Sequence, residues 1–94
     1  MATATTRFPL GRIVATPGAL AVLGTYPQEA FTFLLRHQSG DWGDVDQADR
    51  CENDLSVARG FRILSAYTTR TGVRVWVITE ADRLATTLLL PEEY

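Results

Sequence analysis

Residues 61–90, FRILSAYTTRTGVRVWVITEADRLATTLLL, are where the chain changes from a helical to an extended period. Three runs within it, 61–69, 73–80 and 84–90, are rich in β-branched and aromatic residues, the composition of pleated strands. The connectors RTG and ADR are short enough to favour antiparallel hairpins. Along VRVWVI, Val73, Val75 and Val77 line one face while Arg74, Trp76 and Ile78 line the other. Apolar groups on both faces mark this run as the central strand. Pro91 stops the pairing that precedes it, having no N–H to donate.

Upstream of this meander the apolar spacing is helical. Thr16 with Pro17 opens a short helix that Gly24 closes, and Pro27 with Gly40 brackets a longer one carrying Ala30, Phe31, Leu34 and Leu35. Arg36 and His37 fall in its last turn, where positive charge suits the helix dipole. Asp46 and Asp49 form an acidic variant of a capping box for a third helix, which runs to Arg59 and ends at Gly60. Its Ala48, Cys51, Leu55 and Ala58 make a narrow apolar stripe, predicting that Cys51 is a buried small hydrophobe. Residues 11–16, GRIVAT, read as a short strand or an extended arm. The expected architecture is α+β: N-terminal helices packed on a three-stranded antiparallel meander, with 11–16 able to add a fourth short strand. Residues 1–10 are expected to be a flexible N-terminal arm and 11–94 a single domain.

Composition narrows the function classes. The 94 residues are 46% hydrophobic and include two Trp, three Tyr and four Phe, enough for a core. A single cysteine allows no internal disulfide and no Cys-rich zinc site, which suggests a reducing, cytoplasmic setting. No run approaches the ~20 apolar residues of a bilayer span, so no membrane partner is expected. All nine basic residues are Arg, and the net charge is −2. Between Asp41 and Asp54 six acids face Arg50 alone, whereas the rest of the chain has eight Arg against five acids. That balance disfavours broad duplex binding and points the acidic segment at a basic partner surface.

No Walker, GxGxxG, GxSxG or HExxH motif occurs, so no cofactor is expected. Counted from Asp41, Glu52 stands at position 12 of an EF-hand loop, but Gly43 and Val45 occupy positions 3 and 5, so no metal site is expected either. His37 is the one side chain whose ordinary pKa lies near neutrality. At a helix end it is a packing or capping residue, or else a general base. Metal-independent RNA cleavage needs a base, a cation for the phosphorane charge and an acid. The candidates are His37 as base, Arg62 or Arg83 on the phosphate, Thr79 or Thr86 positioning it, and Ser65 and Tyr67 in support. The candidate binding residues are Asp41, Trp42, Asp44, Asp46 and Asn53. Trp42 between Gly40 and Gly43 reads as a lid over the apolar layer or as a stacking platform.

Together RHQSGDWGDVD, Asn53, RILSAY, VWVITEADR and TTLLLPEEY resemble a family of small proteins carried on bacterial plasmids and integrative elements. Members carry labels such as plasmid-related protein or type I restriction subunit M. The resemblance covers residues 8–94 and implies a genomic setting rather than a reaction. A methyltransferase subunit needs a cofactor-binding domain several times this size. More loosely, helices followed by an antiparallel meander are similar in architecture to RNases of the barnase, EndoU, colicin and RelE type, an analogy of fold alone. Two functions are therefore weighed: a binding protein acting on a host protein such as a restriction or CRISPR component, and a toxin-like ribonuclease acting on RNA. A homodimer formed through an edge strand is a third possibility.

Overall fold

The computed structural model describes residues 6–94. Along them run β1 (Arg12–Ala15), α1 (Pro17–Leu23), α2 (Pro27–Ser39), α3 (Gln47–Arg59), β2 (Ile63–Thr68), β3 (Arg74–Thr79), β4 (Ala85–Leu89) and a 3-10 turn, Pro91–Glu93. The helix ends follow local chemistry. Thr16 accepts a hydrogen bond from the Ala19 N–H and Asp46 accepts one from the Asp49 N–H, while Gly40 and Gly60 close α2 and α3 in the left-handed conformation.

The class is α+β, but the order differs from the expected helices-then-meander. GRIVAT is a strand, and all three helices lie between it and the meander. The sheet has four strands in the order β1-β4-β3-β2. The β2–β3 and β3–β4 pairs are antiparallel as the hairpins require, and β1 lies parallel to β4. The reason is topological: the meander leaves the outer edge of β4 unpaired, and a strand placed before the helices reaches it by a crossover, which delivers a parallel partner. Part of the arm expected over residues 1–10 is packed on the domain. Residues 1–5 lie outside the described residues, but Phe8 is buried against Trp42 and Ile63, and the Arg7 N–H donates to the Gln38 carbonyl at 2.9 Å.

The two sheet faces differ. On the first, Tyr67, Val75, Val77 and Leu88 pack against Ala19, Leu23 and Phe33 of α1 and α2. A second cluster of Phe8, Trp42 and Ile63, joined by Leu10, Val45 and Val57, extends this layer. The strand register places Arg12, Val14, Leu64, Arg74, Trp76, Ile78, Thr87 and Leu89 on the opposite face. There Tyr94, following the 3-10 turn, meets Trp76 edge-on at 5.6 Å between ring centroids.

The outer edge of β2 is closed by its own chain. The Leu64 N–H donates to Asn53 Oδ1 at 3.2 Å, and Asn53 Nδ2 donates back to the Leu64 carbonyl at 2.7 Å. Two residues along, the Ala66 N–H donates to the Trp42 carbonyl and the Asp44 N–H to the Ala66 carbonyl. Gly43 makes this approach possible: its φ is +76°, and a Cβ there would stand 2.1 Å from the Ala66 oxygen.

This sealing overturns the reading of α3. Ala48, Cys51, Leu55 and Ala58 are exposed, and the helix buries Asn53 and Ser56 instead. The surface under α3 is a strand edge with main-chain donors and acceptors to satisfy, so a polar side chain is favoured inward over an apolar one. Cys51 is accordingly an exposed thiol. Replacing Asn53 with alanine leaves both Leu64 groups unpaired and is expected to lower the unfolding free energy by about 2 kcal/mol. Urea denaturation checks this; a loss below about 0.5 kcal/mol, the range of neutral surface changes, would show that the edge needs no such seal.

Candidate functional site

Four of the seven residues singled out for catalysis do come together, and they do so inside the core. Phe33 and His37 lie four apart on α2, so both point at the sheet. Ser65 on β2, Thr79 on β3 and Thr86 on β4 point from the first sheet face towards the same helix, Thr79 and Thr86 being a cross-strand pair. His37 Nδ1 lies 2.6 Å from Ser65 Oγ, and Nε2 lies 2.8 Å from Thr79 Oγ1. Thr79 and Thr86 hydroxyls are 2.7 Å apart, and the Thr86 hydroxyl donates to the Leu10 carbonyl at 2.7 Å.

The last bond fixes the direction of all the others. A carbonyl only accepts, so the single Thr86 hydroxyl proton is committed to Leu10 and Thr86 accepts from Thr79. Thr79 then accepts from His37 Nε2–H, which leaves Nδ1 to accept from Ser65. The chain runs Ser65 to His37 to Thr79 to Thr86 to Leu10, and it selects the Nε2–H tautomer of a neutral imidazole. It also ties α2 to three strands and to the segment before β1.

The surroundings hold the ring neutral. His37 is 0% exposed. Phe8 meets it edge-on at 5.2 Å and Trp42 at 6.0 Å. Burial, with the Arg83 charge adding to it, pushes its pKa down to about 3. A general base must lie within reach of a substrate proton, yet both ring nitrogens are taken by hydroxyls in the core. The arrangement performs positioning, not proton transfer with solvent.

The remaining candidates are spread out. Arg83, whose φ of 63° is the one left-handed value at a non-glycine among the described residues, directs its guanidinium at four main-chain carbonyls: Phe61 at 2.7 Å, Ser56 at 2.8 Å, Glu80 at 3.1 Å and Ala81 at 3.3 Å. It clamps the β3–β4 turn to the end of α3 instead of standing free for a phosphate. The Tyr67 hydroxyl donates to the Asp41 carbonyl at 2.6 Å, and burial raises its pKa. Arg62 belongs to the opposite sheet face, where it donates to the Tyr94 hydroxyl.

Among the proposed binding residues, several have internal tasks. Trp42 is buried and donates from Nε1 to Asp54 at 3.1 Å, the lid role rather than a stacking platform. Asp41 forms a two-point bond with Arg36 that holds its carboxyl below its ordinary pKa. Asp44 accepts from the Thr68 hydroxyl, Asp46 caps α3, and Asn53 seals β2. Sequence reasoning did not anticipate Phe8 as a neighbour of His37 or the Leu10 carbonyl as the acceptor for Thr86. The apolar pair at 8 and 10, inside a segment otherwise rich in Thr, was the available signal.

What stays open to solvent is the outer side of α3. Asp49 and Glu52 carry no ion pair among the described residues, and they border a groove of about 200 Å³ completed by Asn53, Arg62 and Leu64. Beside them runs the apolar ridge of Ala48, Cys51, Leu55 and Ala58, with Leu55 41% exposed. Among the described residues no group of three or more His, Cys, Asp or Glu is placed to hold a metal ion, and no helix is long and apolar enough to cross a membrane. Comparison with protein-family models, with curated proteins and with solved structures finds no match to this chain.

Proposed function

We propose that this chain is a small non-catalytic binding protein of mobile genetic elements, acting on a host protein through the outer face of α3. The supporting observation is the inverted orientation of that helix. Its polar residues Asn53 and Ser56 turn inward, and its apolar ridge, Ala48, Cys51, Leu55 and Ala58, turns outward beside Asp49 and Glu52. An apolar ridge flanked by free carboxylates complements an apolar groove with a basic rim, as found where proteins handle nucleic acid. Arg50 is drawn back onto the Gly43 and Val45 carbonyls, and Arg59, in the last turn beside Ala58, is an exposed cation of this helix.

The alternative, a metal-independent toxin-like ribonuclease using His37 with an arginine, has one observation in its favour: His37, Ser65, Thr79 and Thr86 converge. Their burial and mutual bonding speak against it.

The test is affinity capture from a bacterial lysate, followed by reconstitution with whichever purified protein is retained. That protein is expected to lose at least about tenfold in affinity with Asp49→Lys/Glu52→Lys and with Leu55→Asp, and to bind normally with Glu92→Lys. Equal retention by all variants would remove α3 from the interface. Degradation of purified RNA by wild type would favour the alternative.

A further inference from the structure

We infer that the sheet face opposite α1 and α2, on which Ala66, Ile78 and Leu89 are buried and the arginines exposed, binds single-stranded polynucleotide, with Trp76 and Tyr94 as stacking surfaces and Arg12, Arg62 and Arg74 as phosphate contacts. This site lies on the other side of the sheet from the α1–α2 layer and meets the α3 groove at Arg62 and Leu64.

The charge pattern is the first argument. Arg7, Arg36 and Arg70 each meet a carboxylate, while Arg50 and Arg83 are bound to main-chain carbonyls. Arg12, Arg62 and Arg74 are exposed and have no ion pair among the described residues, Arg74 making one long contact, 3.4 Å, to the Asp44 carbonyl. All three project from one face. Arg74 pairs in register with Thr68, and Arg12 with Ala85. Extending the register by one step from Ile63↔Thr79 and Thr79↔Thr86 sets Arg62, Glu80, Ala85 and Arg12 in a single row. That row lies six residues along β3 from Arg74, a separation of about 20 Å. Glu80 is the carboxylate within the row, Asp49 and Glu52 border a groove with Arg62, and the Asp44 carboxylate bonds Thr68 beside Arg74, so the positive charge is confined to the arginines themselves.

The aromatic pair is the second argument. Trp76 stands on the central strand between Ala66 and Leu89, half-buried, and Tyr94 is 64% exposed. The Arg62 guanidinium sits 5.3 Å from the Tyr94 ring centroid and also donates to its hydroxyl. Between two ends of positive charge, therefore, lie an aromatic ring on a rigid strand and a second ring at its edge. Bases stack on such rings regardless of sequence, while arginines follow the phosphates. A duplex would present its bases already stacked and gain nothing from the rings.

The test uses fluorescence anisotropy with end-labelled oligouridylate and oligothymidylate 12-mers at low salt, on the whole chain. Both oligomers are expected to bind and to quench Trp76 emission. Arg62→Glu, Arg74→Glu and Tyr94→Ala, all at exposed positions, are each expected to weaken binding about tenfold. Arg59→Glu, the same charge change at the end of α3, is expected to change it less than twofold. Binding of the RNA alone would support the site and add a 2′-hydroxyl contact. Absence of binding at about 100 μM protein, equal loss in Arg59→Glu, or preference for duplex would overturn the proposal. So would retention of a protein partner that Arg62→Glu and Arg74→Glu abolish while neither oligomer binds.

Discussion

Replacing His37 with alanine is expected to cost the fold about 4 kcal/mol, lowering the midpoint of thermal unfolding by roughly 20 °C. Two effects combine. The imidazole is fully enclosed among Phe8, Trp42 and the sheet, so its removal leaves a cavity. The Ser65 hydroxyl then loses its acceptor, and Thr79 loses the N–H that it accepts. A domain of this size has a total stability of about 5–10 kcal/mol, so the variant would sit close to the limit of folding. Calorimetry or urea denaturation measures it. A variant with wild-type stability would mean that His37 is not the hub described here, and would return it to the list of candidates for chemistry.

Acid is expected to weaken the native state in a window that belongs to the same residue. Unfolded, His37 takes up a proton near its ordinary pKa of 6.5; folded, it does so only near 3. Between those values the unfolded chain binds more protons, so stability falls as pH falls, and above 6.5 the contribution is constant. The loss amounts to roughly 2.5 kcal/mol by pH 4.5. Asp41, held down chiefly by its bond to Arg36, and Glu93, held down by the Thr16 hydroxyl, act in the same direction but below their ordinary values of 3.8 and 4.5. The interval from pH 6.5 to 4.5 therefore reports His37. Urea midpoints taken across it should decline steadily; a flat profile would mean that protonated His37 is accommodated without loss.

These two results bear on function as well as stability. A catalytic histidine can be removed with the fold intact, whereas a buried one that orders hydroxyls on three strands cannot. The same contrast separates the two sides of the molecule. The helix-covered face spends its buried polar residues on internal bonds, while Asp49 and Glu52 beside the α3 ridge and Arg12, Arg62 and Arg74 on the other sheet face are exposed.

Helix starts at Thr16 and Asp46, stops at Gly40 and Gly60, and all three meander strands to within two residues were legible from the sequence, because caps, turns and alternation are local. The gathering of His37, Ser65, Thr79 and Thr86 was legible only as a list of polar residues at unusual places. Their enclosure was not, since it depends on Phe8 and Leu10 returning from the far end of the chain. The direction of α3 was misread for a related reason. Helical periodicity identifies a stripe but not what lies beneath it, and here the layer beneath is a strand edge whose N–H and C=O groups demand Asn53. The parallel place of β1 likewise follows from which edge of the finished sheet was left unpaired. Local chemistry thus determined the elements, and the need to satisfy main-chain and buried polar groups across the assembled sheet decided which sides face in.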